Sequence, residues 1–219
     1  MMKIQKFEFN MFPVNTYVLW DEDTKDAVII DPGCFFPNEK TTLKNFIKQN
    51  NLKVNRLLNT HLHLDHILGN TFVAEEFGVK PEANQEDEFW LIGAEQQARV
   101  FGFELQEEQV LLGNYLNEGE QVKFGNITLD IIKVPGHSPG SVAFYNKESG
   151  DLFSGDVLFY ESIGRADLQG GNFQQLKDNI IKKLFILPKE TIIHSGHGPS
   201  TTIGHEKMYN PFFTNTESL

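Results

Sequence analysis

The sequence contains a single cysteine, Cys34, among its 219 residues. No internal disulfide can form, and such a chain fits a reducing compartment, which points to the cytosol. Long apolar runs are missing too: none approaches the roughly 18 residues that a membrane span requires. The opening stretch Met1-Met2-Lys3-Ile4-Gln5-Lys6-Phe7 lacks the apolar centre of a secretory signal. Basic residues are few, 19 Lys and Arg against 30 Asp and Glu, for a formal net charge of −11. A nucleic-acid backbone is bound by basic surface, so this balance argues against such a partner. No Pro/Ser/Gly-rich run, charge block or low-complexity tract interrupts the chain. Residues 1–219 therefore read as one domain, long enough for a sizeable α/β core.

What is present is concentrated chemistry. Three of the seven histidines fall in Thr60-His61-Leu62-His63-Leu64-Asp65-His66. The apolar run Val54-Asn55-Arg56-Leu57-Leu58-Asn59 before it reads as a strand. Ile67, Leu68, Phe72, Val73 and Phe77 after it recur at helical spacing, predicting a helix from about Asp65 or His66 to Gly78. His61 and His63 are two apart, which in extended backbone turns both rings the same way. Asp65 and His66 follow as the chain turns into the helix and can face a second point nearby. One cation uses three or four such groups, so the pattern implies two neighbouring metals sharing further ligands. Scattered surface or core histidines are the bland alternative, and this clustering disfavours it.

The remaining chain predicts alternating strands and helices. Ile4–Asn10, Val14–Trp20 and Ala27–Asp31 read as strands, and Pro37–Asn50 as an amphipathic helix with Leu43, Phe46 and Ile47 inward. Asn84–Gly102 reads as a further helix, where Glu86, Asp87 and Glu88 suit the helix dipole. Its Phe89, Trp90, Phe101 and Phe103 are expected in the core rather than at a pocket mouth. Gln121–Phe124 and Ile127–Val134 flank the hairpin signal Gly125-Asn126. Ser141–Tyr145, Asp151–Ser154 and Thr191–His194 read as strands. A helix is marked by Phe173, Leu176, Ile180, Ile181 and Leu184, and a short one by Thr202–Asn210. His137 stands between glycines and prolines on a tight loop, where ligation and a plain loop role are evenly matched. Asp156 ends an apolar strand, where a buried carboxylate needs a cation or donors. The pattern supports an α/β fold with mixed sheets.

His61-Leu62-His63-Leu64-Asp65-His66 resembles the H-x-H-x-D-H motif of the metallo-β-lactamase-fold hydrolases. Gly136-His137-Ser138-Pro139-Gly140, Ser154-Gly155-Asp156 and Ser195-Gly196-His197-Gly198-Pro199 follow in the family's order. The resemblance spans essentially the whole chain and implies a four-layer αββα sandwich. It assigns His61, His63 and His137 to one divalent cation and Asp65, His66 and His197 to a second. Asp156 is shared by both, and Asp65 and Asp156 are the carboxylates of the catalytic centre. Asp31 supports the histidine loop, Asn15 is structural, and Cys34 is a small apolar neighbour of the site. His194 and His205, the histidines left over, are read as structural. Two cations outweigh the local carboxylates, so an acidic protein can still draw in an anion.

A ligand set of imidazole and carboxylate without sulfur suits zinc, iron or manganese and does not choose among them; zinc is the first expectation, with iron and manganese as alternatives. Water between two such cations is ionised near neutral pH and is the expected nucleophile. A thiol leaving group, with a pKa of about 8.5, departs without a strong acid, which favours thioesters over amides. Gly155-Asp156-Val157-Leu158-Phe159 and Ser162-Ile163-Gly164-Arg165-Ala166-Asp167 look like the glyoxalase II branch, where a basic residue at the Arg165 position contacts the thiol carrier. The aromatic residues that normally follow that position are replaced by Ala166 and Asp167. The chain also ends soon after Glu206, without the helical extension of the larger glyoxalase II enzymes. The expectation is a short glyoxalase II-like hydrolase of a small anionic thioester of the S-2-hydroxyacyl type, independent of nucleic acid and membrane. A mononuclear iron persulfide dioxygenase and a lactonase or β-lactamase on the same centre are the alternatives. A non-enzymatic metal-binding protein is the fourth reading. A flavodiiron role is disfavoured, because that branch has Glu where this chain has His63.

Overall fold

The computed structural model describes residues 1–214. Two six-stranded mixed sheets face each other. The first holds, in spatial order, β1 (Met2–Phe9), β2 (Val14–Asp21), β3 (Asp26–Ile30), β4 (Lys53–Leu58), β5 (Pro81–Ala83) and β6 (Asn114–Tyr115). β1 to β3 pair antiparallel; β3 to β6 pair parallel. The second sheet contains β7 (Gln121–Phe124), β8 (Ile127–Lys133), β9 (Val142–Asn146) and β10 (Asp151–Gly155). A two-stranded ribbon, β11 (Leu158–Phe159) and β12 (Ser162–Ile163), follows it in the chain. β13 (Ile192–Ser195) then joins the second sheet parallel to β10, and β14 (Thr201–Thr202) closes its edge.

Side-chain alternation builds the layers. In β2 and β3, Tyr17, Leu19, Val28 and Ile30 point into the space between the sheets, whereas Val18, Ala27 and Ile29 point to the outer face. Across the gap, Val142, Phe144 and Phe153 point inward, and Ala143, Tyr145 and Leu152 outward. This period of two lets each sheet bury both faces. Each large side chain so buried contributes roughly 1.5–3 kcal/mol. Leu43 and Ile47 of α1 (Pro37–Gln49) and Val73 of α3 (Asn70–Phe77) cover the first sheet. Leu176 of α6 (Phe173–Asn179), Ile180 and Leu184 of the π-helical turn after it, and Ile203 of α7 (Ile203–Tyr209) cover the second. The four-layer αββα sandwich is therefore present. α8 (Pro211–Thr214) ends the described residues, none of whose helices is long and apolar enough to cross a membrane.

Two expected helices are each broken. The helix after the histidine loop divides into α2 (Leu64–Ile67) and α3, because Pro32 approaches at Gly69. The Gly69 amide donates to the Pro32 carbonyl at 2.7 Å, and a Cβ there would stand 2.6 Å from that oxygen. The helix expected over 84–102 is a 3-10 turn at Gln85–Asp87, then α4 (Glu88–Ile92) and α5 (Ala94–Val100), with Gly93 between them. Leu91, Ala94 and Ala98 pack on Leu64 and Ile67, which sets the α4–α5 pair beside the histidine loop.

Candidate metal centre

Loops from the strand ends of both sheets converge on one point. The turn after β4 brings His61, His63, Asp65 and His66; the second sheet supplies His137, Asp156 and His197. The donor atoms of His61, His63 and His137 lie within 4.8 Å of one another, as do those of Asp65, His66 and His197. His137 Nε2 is 3.2 Å from His61 Nε2 and 2.9 Å from His63 Nδ1. In the second group, Asp65 Oδ2 is 3.2 Å from His197 Nε2 and 3.6 Å from His66 Nε2. Asp156 stands between the groups. Its Oδ1 is 3.3 Å from His66 Nε2, and its Oδ2 lies 3.4 Å from His197 Nε2 and 3.7 Å from His137 Nε2.

The outward nitrogens of four rings are spoken for. His61 Nδ1 donates to Thr60 Oγ1, whose hydroxyl donates to Asp31. His66 Nδ1 donates to Asp31 Oδ2 at 3.1 Å, His137 Nδ1 to the Arg165 carbonyl at 2.7 Å, and His197 Nδ1 to the Pro13 carbonyl at 3.1 Å. Each bond fixes a tautomer that leaves Nε2 facing the cluster, the arrangement of metal-ligating imidazoles. Asp31 thus supports the loop as expected, from a left-handed backbone at φ 49° that a non-glycine residue rarely adopts.

Electrostatics divide the two groups. Burial, and then the neighbouring imidazoles, hold His61 well below its ordinary range and His63 at about 3, so both are neutral acceptors. Burial also opposes charge on His66 and His197. The carboxylates outweigh it there, lifting His66 well above its usual value and His197 to about 10. Against their own desolvation, the same imidazoles draw Asp65 below, and Asp156 well below, the usual carboxylate range. Asp156 Oδ1 and His66 Nε2 are buried without a hydrogen-bond partner. Buried polar atoms normally find one. Converging lone pairs, a deprotonated carboxylate and unpaired donor atoms fit divalent cations.

Several residues hold this geometry from outside. Asn15 donates its side-chain amide to the Ser195 and Gly198 carbonyls, at 3.0 and 2.8 Å, and Tyr17 donates to Ser195 at 2.7 Å. A Cβ on Gly196 would overlap Asp156 Oδ1 and stand 2.7 Å from His66 Cε1. Asp87, expected as one of three acids at a helix start, is completely buried. It accepts from Leu62 N at 3.1 Å, Ser138 Oγ at 2.5 Å and Gly140 N at 2.6 Å, joining the two loops that carry His61, His63 and His137. Burial pushes its carboxyl up, against the pull of those three donors. Its sequence signal, an acid among acids, was indistinguishable from surface charge.

His194 and His205 lie outside both groups. His194 pairs with Asp151 at 2.8 Å and stacks on Phe153; His205 pairs with Glu161 at 3.0 Å. Cys34 is buried beside Gly69, its thiol pushed up to about 12 by desolvation.

A cavity of about 710 Å³ opens over the centre, reaching His63, Asp65, His137, Asp156 and His197. Phe89, Trp90 and Phe101 line it, so these three are wall residues where core positions were expected. Phe103 packs in the core against Phe35. Phe12, on the β1–β2 turn, also lines the cavity, and nothing local in the sequence marks it. Arg165 borders the cavity too, with one edge of its guanidinium paired: Nε and Nη2 each lie 2.8 Å from an Asp167 oxygen.

With four layers and a seven-residue cluster at the meeting edge of both sheets, the chain belongs to the metallo-beta-lactamase superfamily, whose family profile matches residues 10–197. It is 38% identical over 213 residues to hydroxyacylglutathione hydrolase GloC of Haemophilus influenzae, covering 96% of this chain and 98% of that protein. Among solved structures it is similar to the BLEG-1 B3 metallo-beta-lactamase, with a TM-score of 0.87 and 36% identity over 98% of this chain and 100% of that one. It is also similar to TTHA1623 in a di-iron-bound form, with a TM-score of 0.84 and 35% identity over 95% and 99%.

Proposed function

We propose that this protein is a binuclear metal-dependent hydrolase of small thioesters. The observation that carries the reading is Asp156, a single carboxylate placed between two ligand groups at the floor of a cavity. His61, His63 and His137 would hold one cation, Asp65, His66 and His197 the other, and Asp156 both. Zinc, iron or manganese suits this donor set, and the di-iron form of a similar structure keeps iron beside zinc. When bound, such a pair lowers the pKa of a water and polarises a carbonyl.

The protein's own contribution is orientation. Asp31, Thr60 and the Arg165 and Pro13 carbonyls hold the imidazoles so that donor atoms face the cavity. Trp90 stands edge-on against His63, with ring centroids 4.8 Å apart, and shields that side of the floor from solvent. The acyl C–S bond breaks and a C–O bond forms with the oxygen of water; carboxylate, thiol and one proton are released. Among the described residues, the only acids lining the cavity are Asp65 and Asp156, both in the ligand cluster. Among the described residues no separate acid lines the cavity to protonate an amine, which supports thioesters over amides. The relative named hydroxyacylglutathione hydrolase supports the same bond class.

The test is metal analysis of purified protein, combined with a panel of thioesters, lactones, nitrocefin and a persulfide with oxygen uptake. Two metals per chain and thioester turnover are expected, and Asp156→Asn should lose both. Oxygen consumption with the persulfide, or turnover confined to lactones or nitrocefin, would replace this reading.

A further inference from the structure

Resting on that reading, we propose that the cavity contains a subsite for an uncharged, apolar acyl group, so that the preferred thioester carries a medium-length aliphatic or an aromatic acyl chain. The apolar wall begins at the ligand cluster itself, where Trp90 abuts His63. Phe89 continues it, 4.9 Å from Trp90, and a second aromatic pair, Phe12 and Phe101, lines the same cavity at 5.1 Å. Val100 and Phe101, at the end of α5, are 79% and 58% exposed. These two large apolar side chains border a cavity and leave most of their surface in water, which marks a surface kept for a ligand.

The charge pattern agrees. Among the described residues outside the ligand cluster, Arg165 is the only charged one lining the cavity, and Asp167 pairs with its Nε and Nη2. The other polar lining residues, Gln96, Gln97 and Gln169, are neutral, and Gln97 already donates to the Trp90 carbonyl. An anionic acyl arm would leave water for a wall whose one cation is already offset by Asp167. An apolar arm would bury surface against it.

The experiment compares acetyl, butyryl, hexanoyl, phenylacetyl and succinyl thioesters of one small neutral thiol, N-acetylcysteamine, on the metal-loaded protein. kcat/KM should rise about fourfold for each added methylene, with succinyl at or below acetyl. Val100→Asp, at an exposed position that leaves the core intact, should cut the hexanoyl-to-acetyl ratio by about tenfold or more. As a readout separate from turnover, the S-hexyl thioether of the same thiol should quench indole fluorescence, and the response should vanish in Trp90→Phe, which retains only Trp20. Equal kcat/KM along the acyl series, or succinyl as the best substrate, would refute the subsite and leave the hydrolase standing. Thioether binding without hydrolysis of any thioester would do the reverse.

Discussion

A single methyl group at position 196 tests the geometry of the centre. In Gly196→Ala the new Cβ overlaps Asp156 Oδ1 and comes within 2.7 Å of His66 Cε1 and 3.2 Å of the Gly155 carbonyl carbon. Overpacking of this kind costs roughly 1–3 kcal/mol of stability. The atoms displaced most readily are side-chain ends, and those ends belong to Asp156, which stands between the two ligand groups, and to His66 of the second. Metal retention should therefore fall much further than stability does. Gly198, two residues on in the same loop, supplies the control. It has φ 72° and nothing within 4 Å of its would-be Cβ. Ala there pays only the left-handed backbone, about 1–2 kcal/mol, and should keep its metal. Both variants would be unfolded in urea after metal removal, then reloaded, dialysed and analysed for metal. Similar melting losses with metal depleted only in Gly196→Ala are the expected result. If Gly196→Ala retains two metals, or both variants lose them equally, the close approach of this loop to Asp156 is not what holds the centre.

Asp87→Ala leaves three buried donors without an acceptor and should cost about 3–5 kcal/mol in the metal-free protein; a urea midpoint unchanged from wild type would contradict the loop-joining role. The imidazole of His197, raised to about 10, stabilises the metal-free fold fully below its ordinary 6.5 and loses that contribution as pH rises through about 10. A cation must displace this proton, so apparent metal affinity should climb by up to about tenfold per pH unit in that window. Chelator competition between pH 6.5 and 9 would show it, and a flat profile would rule out the pairing with Asp65 and Asp156. Arg165→Ala should leave metal content unchanged, because the group that orients His137 is the Arg165 carbonyl and not its guanidinium; metal loss on dialysis would show otherwise.

The parts legible in the sequence were those set by local pattern. His61 to His66 announced itself by spacing, and the strands around it were marked by apolar runs that end within a residue or two of the observed bounds, as with Val54–Asn59 against Lys53–Leu58 for β4. Asp31 and the two structural histidines were also placed as the structure has them. What escaped depends on contacts between distant residues. The helix break at Gly69 follows from a carbonyl 37 positions earlier, at Pro32. β5 and β6 span only three and two residues, too short to carry a period. Asp87 is buried by loops that come together only in the folded chain. Phe12 reaches the cavity because the β1–β2 turn lies against the end of α5, where its ring meets Phe101. Periodicity ranks such residues as core or surface and has no third category for a wall.

The seven clustered side chains are contributed by both sheets, four from the loop after β4 and three from loops of the second sheet. A cation pair held jointly by them would act as a removable cross-link across the seam of the sandwich. Its binding free energy, about 4 kcal/mol at a thousandfold excess over Kd, would be available only while the two sheets stay docked. The apolar layer between them, with Leu19 and Ile30 facing Phe144 and Phe153, then governs how often the seam parts and how fast a cation escapes. A methylene removed deep in that layer, far from any donor atom, would register as a shorter residence time for the metal.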